Sequence, residues 1–145
     1  MGVKENRIVV AIDSSPIART VCKEASDLAS ALAADVFLIS VIPIPSFAMA
    51  ESDFDSVKIK EEERAYYELH KRLVAEFFSG VDRLVESKIL RGDPIRRICE
   101  FAEATKARLI ILGSRGMGHL QSFFLGSTSE GVMRNAKASV LIVKE

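Results

Sequence analysis

Short apolar runs alternate with helical periodicity along the chain. Residues 8–12 are continuously apolar and mostly β-branched, which predicts a strand buried on both faces. Apolar residues then recur at spacings of three and four from Ala18 to Leu32, the pattern of a helix with one buried face. Ser15 and Pro16 come just before this stripe, so they are predicted to be its N-cap and its first helical residue.

The same alternation continues through the middle of the chain. Residues 36–42 predict a second strand that ends at Pro43. Residues 43–53 predict a loop, and its apolar Phe47 and Met49 are expected to fold over the rest of the protein. A long second helix is predicted by an apolar stripe that consists of Tyr66, Leu69, Leu73 and Phe77.

The third predicted strand, residues 83–90, differs from the others because it carries several charged side chains. That composition suits a strand at the edge of a sheet, where one side faces water. Gly92, Asp93 and Pro94 follow, and they predict a turn, an N-cap and a proline at the first position of a third helix.

The last part of the chain predicts two strands around one helix. Residues 109–112 are apolar throughout and predict a central strand, residues 127–135 a helix, and residues 140–143 a final strand. Strands that alternate with helices, joined by right-handed crossovers, imply an α/β fold. We expect one domain over residues 1–145, an open five-stranded parallel sheet of order 3-2-1-4-5 with helices on both faces.

Composition excludes several classes of partner. The chain has 145 residues, 48% of them hydrophobic and 28% charged, and its formal net charge is zero. A neutral chain lacks the basic excess that nucleic acids or anionic membranes attract. No apolar run is long enough to span a bilayer, and no signal-peptide core is present, so we expect a cytoplasmic protein.

The cysteines and histidines predict packing rather than chemistry. Cys22 and Cys99 fall on the apolar stripes of the first and third helices, where buried thiols pack as small hydrophobes. A disulfide or redox pair is the alternative, although the chain has no C-x-x-C sequence. His70 and His119 have no Cys or His nearby at ligand spacing, so no transition-metal site is expected.

The strongest candidate for chemistry lies between the fourth strand and the helix that follows it. Gly113, Ser114, Arg115 and Gly116 come first, and after nine intervening residues Gly126 opens a cluster of hydroxyl residues. Helix N-termini present unpaired N–H groups and a positive dipole end, which favour phosphate. Asp13, Val41 and Gly113 all lie at the carboxyl ends of predicted strands, and parallel sheets bind ligands beyond these ends.

Each of these residues also has a structural interpretation. Ser127 and Glu130 fit a capping box, Asp13 an Asx-type cap of the first helix, and Val41 plain core. Arg115 is a candidate to contact a triphosphate or to face solvent, and His119 is a weaker one. A Walker loop is excluded because Ser, not Lys, follows the last glycine, and a Rossmann fingerprint because its glycines do not follow the first strand.

The spacing Gly113-x2-Gly116-x9-Gly126-Ser127 resembles the nucleotide-binding signature of the universal stress protein family. The resemblance extends over the whole chain: a first strand that ends in Asp13, the small turn 14–16, the Gly-x-Pro turn 92–94 and the closing strand 140–143. Ala138 and Ser139 depart from the proline that often precedes that last strand.

This resemblance implies a Rossmann-like, adenine nucleotide alpha hydrolase-like fold that binds ATP (or ADP or AMP), with Mg²⁺ carried by the nucleotide. Ser127 and Ser129 would contact phosphates, and Asp13 and Val41 would border the adenosine. The complete set of implied binding residues is Ala11, Asp13, Val41, Gly113, Arg115, Gly116, Gly126, Ser127, Thr128 and Ser129.

The function implied is that of a nucleotide-responsive regulator in stress response, with at most slow ATP hydrolysis. Two alternatives remain: a phosphate-loop hydrolase or adenylate-forming enzyme on the same scaffold, and a nucleotide-free dimerisation module. The apolar run from Val140 to Val143 lies at an edge of the implied sheet and invites pairing with a second copy. We therefore expect a homodimer through this strand, with an unidentified protein client as a further partner. The alternative is that the loop with Phe47 and Met49 covers the strand.

Overall fold

The computed structural model describes residues 6–45, 56–115 and 125–144. Gly116, His119, Phe47 and Met49 lie outside these residues, so the predictions that concern them are not addressed by the structure. The described elements, in chain order, are β1 (Asn6–Ala11), α1 (Ala18–Leu32), β2 (Ala34–Pro43), α2 (Ser56–Phe77), β3 (Val85–Gly92), α3 (Pro94–Ala104), β4 (Leu109–Gly113), α4 (Ser127–Asn135) and β5 (Ser139–Val143).

The strands form a five-stranded sheet of order β3-β2-β1-β4-β5, which confirms the predicted topology. All four neighbouring pairs are parallel, so every strand ends at the same edge of the sheet. The chain moves from β1 to β2 on one side and later returns to β4 on the other. The order of strands therefore reverses at β1, and such a switch point opens a crevice at the carboxyl ends.

Alternate side chains along the strands supply two separate cores. Val36 and Leu38 pack with α1 and with Leu73 of α2 on one face of the sheet. Phe37 and Ile39 pack on the other face with Ile98 of α3 and with α4. Successive side chains of a strand point to opposite faces of the sheet. Because helices cover both faces, the strand needs apolar residues at consecutive positions.

The charged third strand lies at an edge, as predicted, but begins at Val85 rather than Arg83. Arg83 precedes the strand, and its Nε donates to the Asp35 carboxylate at 3.1 Å. Asp35 also accepts the N–H of Leu84 at 3.3 Å. These side-chain contacts hold the entry to β3 against β2.

The start of α1 differs from the prediction, whereas the start of α3 confirms it. Ser15 and Pro16 belong to a turn closed by the Ala18 N–H on the Ser15 carbonyl at 3.1 Å, and α1 begins only at Ala18. The Ser15 hydroxyl donates to Asp13 and not to the helix, so it is not an N-cap. Asp93 does cap α3: its carboxylate accepts the Arg96 N–H at 2.9 Å, with proline next in the chain.

Both cysteines are free thiols, as the packing interpretation predicted. Cys22 of α1 is fully buried in the core between this helix and the sheet, and burial raises the pKa of its thiol to about 12. Cys99 is only partly buried, and burial also raises its pKa.

No helix in the described part of the chain is long and apolar enough to cross a membrane.

Candidate functional site

A crevice of about 370 Å³ opens at the carboxyl ends of β1, β2 and β4. Its inner wall is apolar and includes Ile17 just before α1, Ile39 of β2 and Ile98 of α3. Its polar groups come from the strand ends, from the first turn of α4 and from Tyr66 of α2. The crevice is therefore built by the reversal of strand order and closed at one end by a helix N-terminus.

Nearly all of the predicted binding residues meet in this crevice. The structure places these residues on its lining: Ala11, Asp13, Val41, Gly113, Arg115, Gly126, Ser127, Thr128 and Ser129. Gly116, the remaining predicted residue, lies outside the described residues. Segments far apart in the sequence thus converge, as the positions at strand ends predicted.

The first turn of α4 has no side-chain cap. Gly126 is the N-cap in an extended conformation, and Ser127 is already the first helical residue. The capping box is therefore wrong, because Ser127 lies one position too late, and the Glu130 carboxylate pairs with Arg134 at 2.9 Å instead. The helix ladder starts with the Glu130 N–H on the Gly126 carbonyl at 3.0 Å, so the N–H groups before it receive no helical carbonyl.

The main-chain carbonyl of Ser114 ties the end of β4 to α4. It accepts the Gly126 N–H at 2.7 Å and lies 3.0 Å from the Ser129 hydroxyl, which also lies 3.0 Å from the Gly126 carbonyl. The Ser114 N–H donates to Val143 at the end of β5, at 2.8 Å. The buried Ser129 hydroxyl thus contacts backbone carbonyls and helps to hold the loop, and its contact with phosphate stays a prediction.

The two described glycines of the motif serve packing and contact rather than sharp turns. Among the described glycines only Gly92 has a positive φ. A Cβ at Gly113 would lie 2.9 Å from Cγ2 of Ile17, so glycine here lets α1 pack against β4. A Cβ at Gly126 would lie 3.4 Å from Ser114 O, an ordinary contact with the loop.

Asp13 shapes the crevice rim through a local turn. Its Oδ1 accepts the Ser15 N–H at 2.9 Å and also the Ser15 hydroxyl, which forms an Asx-type turn. The predicted Asx-type cap of the first helix is wrong, because α1 begins only at Ala18 and has no side-chain cap. Tyr66 of α2 lines the same rim. Burial, and secondarily the Asp13 carboxylate, raises the pKa of Tyr66, while a hydrogen bond with Ser14 lowers it.

A buried polar pair behind the rim could not be foreseen from the sequence pattern. The Ser40 hydroxyl lies 2.7 Å from the Ile12 carbonyl and 2.7 Å from Nε2 of His70. His70 is 1% exposed, and burial lowers its pKa to about 4. Tyr66 lies one helical turn away, edge-on to the imidazole. The only sequence signal was a serine within the otherwise apolar run 36–42.

The ladder between β1 and β2 stops at this pair. Its last backbone bond runs from the Ile12 N–H to the Ile39 carbonyl at 3.0 Å, and β1 ends at Ala11. Ile39 thus faces β1, while the Val36 N–H bonds to Leu84 beside β3. Because backbone groups alternate sides along a strand, the N–H and C=O of Val41 face the β1 side, where the crevice opens.

Among the described lining residues, the charged ones are Asp13 and Arg115. No group of three or more His, Cys, Asp or Glu side chains able to hold a metal occurs within residues 6–45, 56–115 and 125–144. The arrangement can hold an anion at the α4 end and an apolar, hydrogen-bonding group at the β1–β2 end.

Comparisons with known proteins identify the same family over nearly the whole chain. The model of the Universal stress protein family matches residues 5–144. Universal stress protein MJ0531 of Methanocaldococcus jannaschii is 33% identical, over 96% of this chain and 82% of its own length. A universal stress protein of Thermus aquaticus is also 33% identical, over 94% of this chain and 97% of its own.

Solved structures give the same result. The hypothetical protein MJ0577 superposes with a TM-score of 0.82 at 28% identity, covering 99% of this chain and 98% of its own. A universal stress protein solved in complex with cAMP has a TM-score of 0.72 at 21% identity, over 97% of each chain. One from Archaeoglobus fulgidus in complex with dAMP has 0.64 at 22%, over 98% of this chain and all of its own. Together with the family match, these similarities show that the chain belongs to the universal stress protein family.

Proposed function

We propose that this protein binds an adenine nucleotide, ATP or its products ADP and AMP, in the crevice and acts as a nucleotide-responsive regulator. The observation that carries the proposal is the continuity of the crevice. One cavity of about 370 Å³ joins the uncapped N-terminus of α4 to the apolar pocket at the ends of β1 and β2. A nucleotide has the matching division into an anionic and an aromatic part.

The phosphates would lie at α4. The N–H groups of Ser127 and Thr128 belong to the first turn, where the helix dipole favours negative charge. Ser127 is exposed and Thr128 partly exposed, so both hydroxyls are available in a way that the buried Ser129 hydroxyl is not. Arg115 lines the same end and contributes positive charge.

The nucleoside would then extend over β1 toward β2, because α4 and β4 occupy the other side of the crevice. Asp13 can accept hydrogen bonds from sugar hydroxyls. The backbone of Val41 faces the space where the edge of a base would lie, and the side chains of Ile39 and Ile98 give its ring an apolar wall. The related structures with cAMP and dAMP, at 21% and 22% identity, support the proposal through the fold alone.

Magnesium would be bound by the nucleotide phosphates and enter the crevice with them. The described residues hold no cluster of metal-binding side chains, and the only described carboxylate on the crevice lining, Asp13, is engaged by Ser15. Phosphate oxygens are good ligands for Mg²⁺, which keeps most of its waters. We therefore assign no protein ligand to the metal.

A regulatory role is favoured over dedicated catalysis. Phosphoryl transfer needs a group that orients the nucleophile and cations that neutralise the developing charge. The described lining offers Arg115 as its cation and the engaged Asp13 as its carboxylate. Slow hydrolysis is compatible with this set, whereas efficient turnover with a co-substrate would favour the adenylate-forming alternative.

We further propose assembly into a homodimer through β5. This strand pairs with β4 on one side and is the edge of the described sheet on the other, with partly exposed Val140, Leu141 and Ile142. The Val143 carbonyl points to β4, since it accepts the Ser114 N–H. Alternation then directs the N–H groups of Val140 and Ile142 outward, where a second β5 strand can bond to them about a two-fold axis.

Calorimetric titration of the purified protein with ATP, ADP and AMP tests the nucleotide proposal. We expect saturable binding of ATP, a weakening of about tenfold in a Ser127→Ala, Thr128→Val double variant, and wild-type affinity in Lys137→Ala, an exposed control outside the crevice that pairs with Glu103. Absence of binding heat for all three nucleotides at millimolar concentration would refute the proposal and favour the nucleotide-free dimerisation module.

A further inference from the structure

The protons between Ile12, Ser40 and His70 can be counted from the geometry. Two contacts of 2.7 Å join the Ser40 hydroxyl to the Ile12 carbonyl and to Nε2 of His70. Each contact needs a proton, the carbonyl has none and the serine has one. The serine proton must therefore point to Ile12, and Nε2 of His70 must carry the other.

This count fixes the imidazole as the Nε2–H tautomer. Nδ1 is then a bare acceptor, and it is one of the buried side-chain atoms in the described part of the chain that has no hydrogen-bond partner. A buried acceptor without a donor costs free energy. The folded protein bears this cost at Nδ1, while the Nε2–H of His70 donates to the Ser40 hydroxyl.

The Ile12 carbonyl is the group on which this donor chain ends. In a continued parallel ladder its donor would be the N–H of Val41, on the facing strand. The Ser40 hydroxyl takes that place, and the β1–β2 ladder stops one residue earlier, at Ala11. The Val41 backbone is thereby left facing the crevice.

We propose that His70 is a positioning residue for the nucleoside end of the crevice, and that it acts through Ser40. By orienting the Ser40 hydroxyl toward Ile12, His70 keeps the carbonyl satisfied without Val41 and so holds the ends of β1 and β2 open for a ligand. This proposal rests on the proposed nucleotide binding for its ligand, but its structural part concerns the ligand-free protein.

The experiment uses ligand-free hydrogen exchange and ligand titration on the same set of variants. Ser40→Ala removes the hydroxyl, His70→Phe removes the donor but keeps a ring, and His70→Gln keeps a side-chain N–H. In Ser40→Ala the Ile12 carbonyl is expected to recapture the Val41 N–H, so that exchange of this amide slows about tenfold. Leu73→Ala, on the same helix and outside the crevice lining, is the packing control and leaves the Val41 amide as it is.

Titration with adenosine and with pyrophosphate separates the two ends of the crevice. Adenosine affinity falls about fivefold in Ser40→Ala and in His70→Phe, while pyrophosphate affinity stays within about twofold. The double variant is no weaker than Ser40→Ala alone, because His70 acts through the serine. His70→Gln restores most of the adenosine affinity.

An unchanged Val41 exchange rate in both Ser40→Ala and His70→Phe overturns the proposal, whether or not a nucleotide binds. Slower exchange with unaltered adenosine affinity overturns the assignment to the nucleoside end. Additive losses in the double variant overturn the action through Ser40. If the wild type binds neither adenosine nor ATP, the proposed function fails, and the exchange data alone decide how β1 and β2 are held.

Discussion

The buried neutral state of His70 predicts a pH-dependent loss of stability that a single substitution removes. Burial lowers the pKa of His70 from 6.5 to about 4. Between these pH values His70 is protonated in the unfolded chain but neutral in the folded protein. The free energy of unfolding therefore falls as the pH drops through this window. The stability that the neutral His70 contributes is complete above pH about 6.5 and is lost toward pH about 4.

The size of the effect follows from the shift. Each pKa unit corresponds to about 1.4 kcal/mol, so the loss relative to neutral pH is about 2 kcal/mol at pH 5 and about 3 kcal/mol at pH 4. His70→Phe keeps an aromatic ring in the site and cannot titrate. The difference in unfolding free energy between wild type and variant isolates the histidine, since the other titrating groups are common to both proteins.

Urea denaturation of the two proteins at several pH values between 8 and about 4.5 provides the assay. We expect the difference between wild type and His70→Phe to shift in favour of the variant by about 1 kcal/mol for each unit below pH 6. A difference that stays constant over this range would show that His70 titrates normally in the folded protein. The buried, singly protonated imidazole between Ser40 and Tyr66 would then be wrong.

Other predictions concern the loop, the core and the sheet edge. Ser127→Ala should weaken ATP about threefold more than adenosine, whereas Ser129→Ala should lower the free energy of unfolding by about 1 kcal/mol because its hydroxyl ties the loop; calorimetry and denaturation separate the two. Gly113→Ala should destabilise the protein by about 1–3 kcal/mol through the contact with Ile17, and Ile17→Ala in the same chain should recover part of that loss in thermal unfolding. Val140→Pro removes an outward donor of β5 and should give monomers by light scattering, and a wild type already monomeric at high micromolar concentration would exclude the dimer.

The fold was accessible from the sequence because its signals are local and consistent. Continuous apolar runs in β1 and β4 required cover on both faces, and the charges of β3 placed it at an edge. Asp93 and Pro94 marked the start of α3 because capping chemistry involves only adjacent residues. Ser15 and Pro16 carried the same signal and failed, because Asp13 competes for the Ser15 hydroxyl.

The candidate site was only partly accessible. Positions at strand ends identified Asp13, Val41 and Gly113, since parallel strands end together. The capping box at Ser127 was wrong by a single residue, which no periodicity resolves. The Ser114 carbonyl and the pairing of Ser40 with His70 could not be predicted, because one is a backbone group and the other joins residues 30 positions apart in the chain.

Titration of ¹⁵N-labelled protein with Mg²⁺–ATP, followed by amide chemical shifts, tests the nucleotide site most directly. The crevice predicts saturable shifts at Ser127 and Thr128 at one end and at Val41 at the other, with Lys137 on the far surface unaffected. Repetition with pyrophosphate should move only the α4 amides. Shifts confined to residues outside the crevice, or no saturable shift at millimolar ATP, would contradict the binding site.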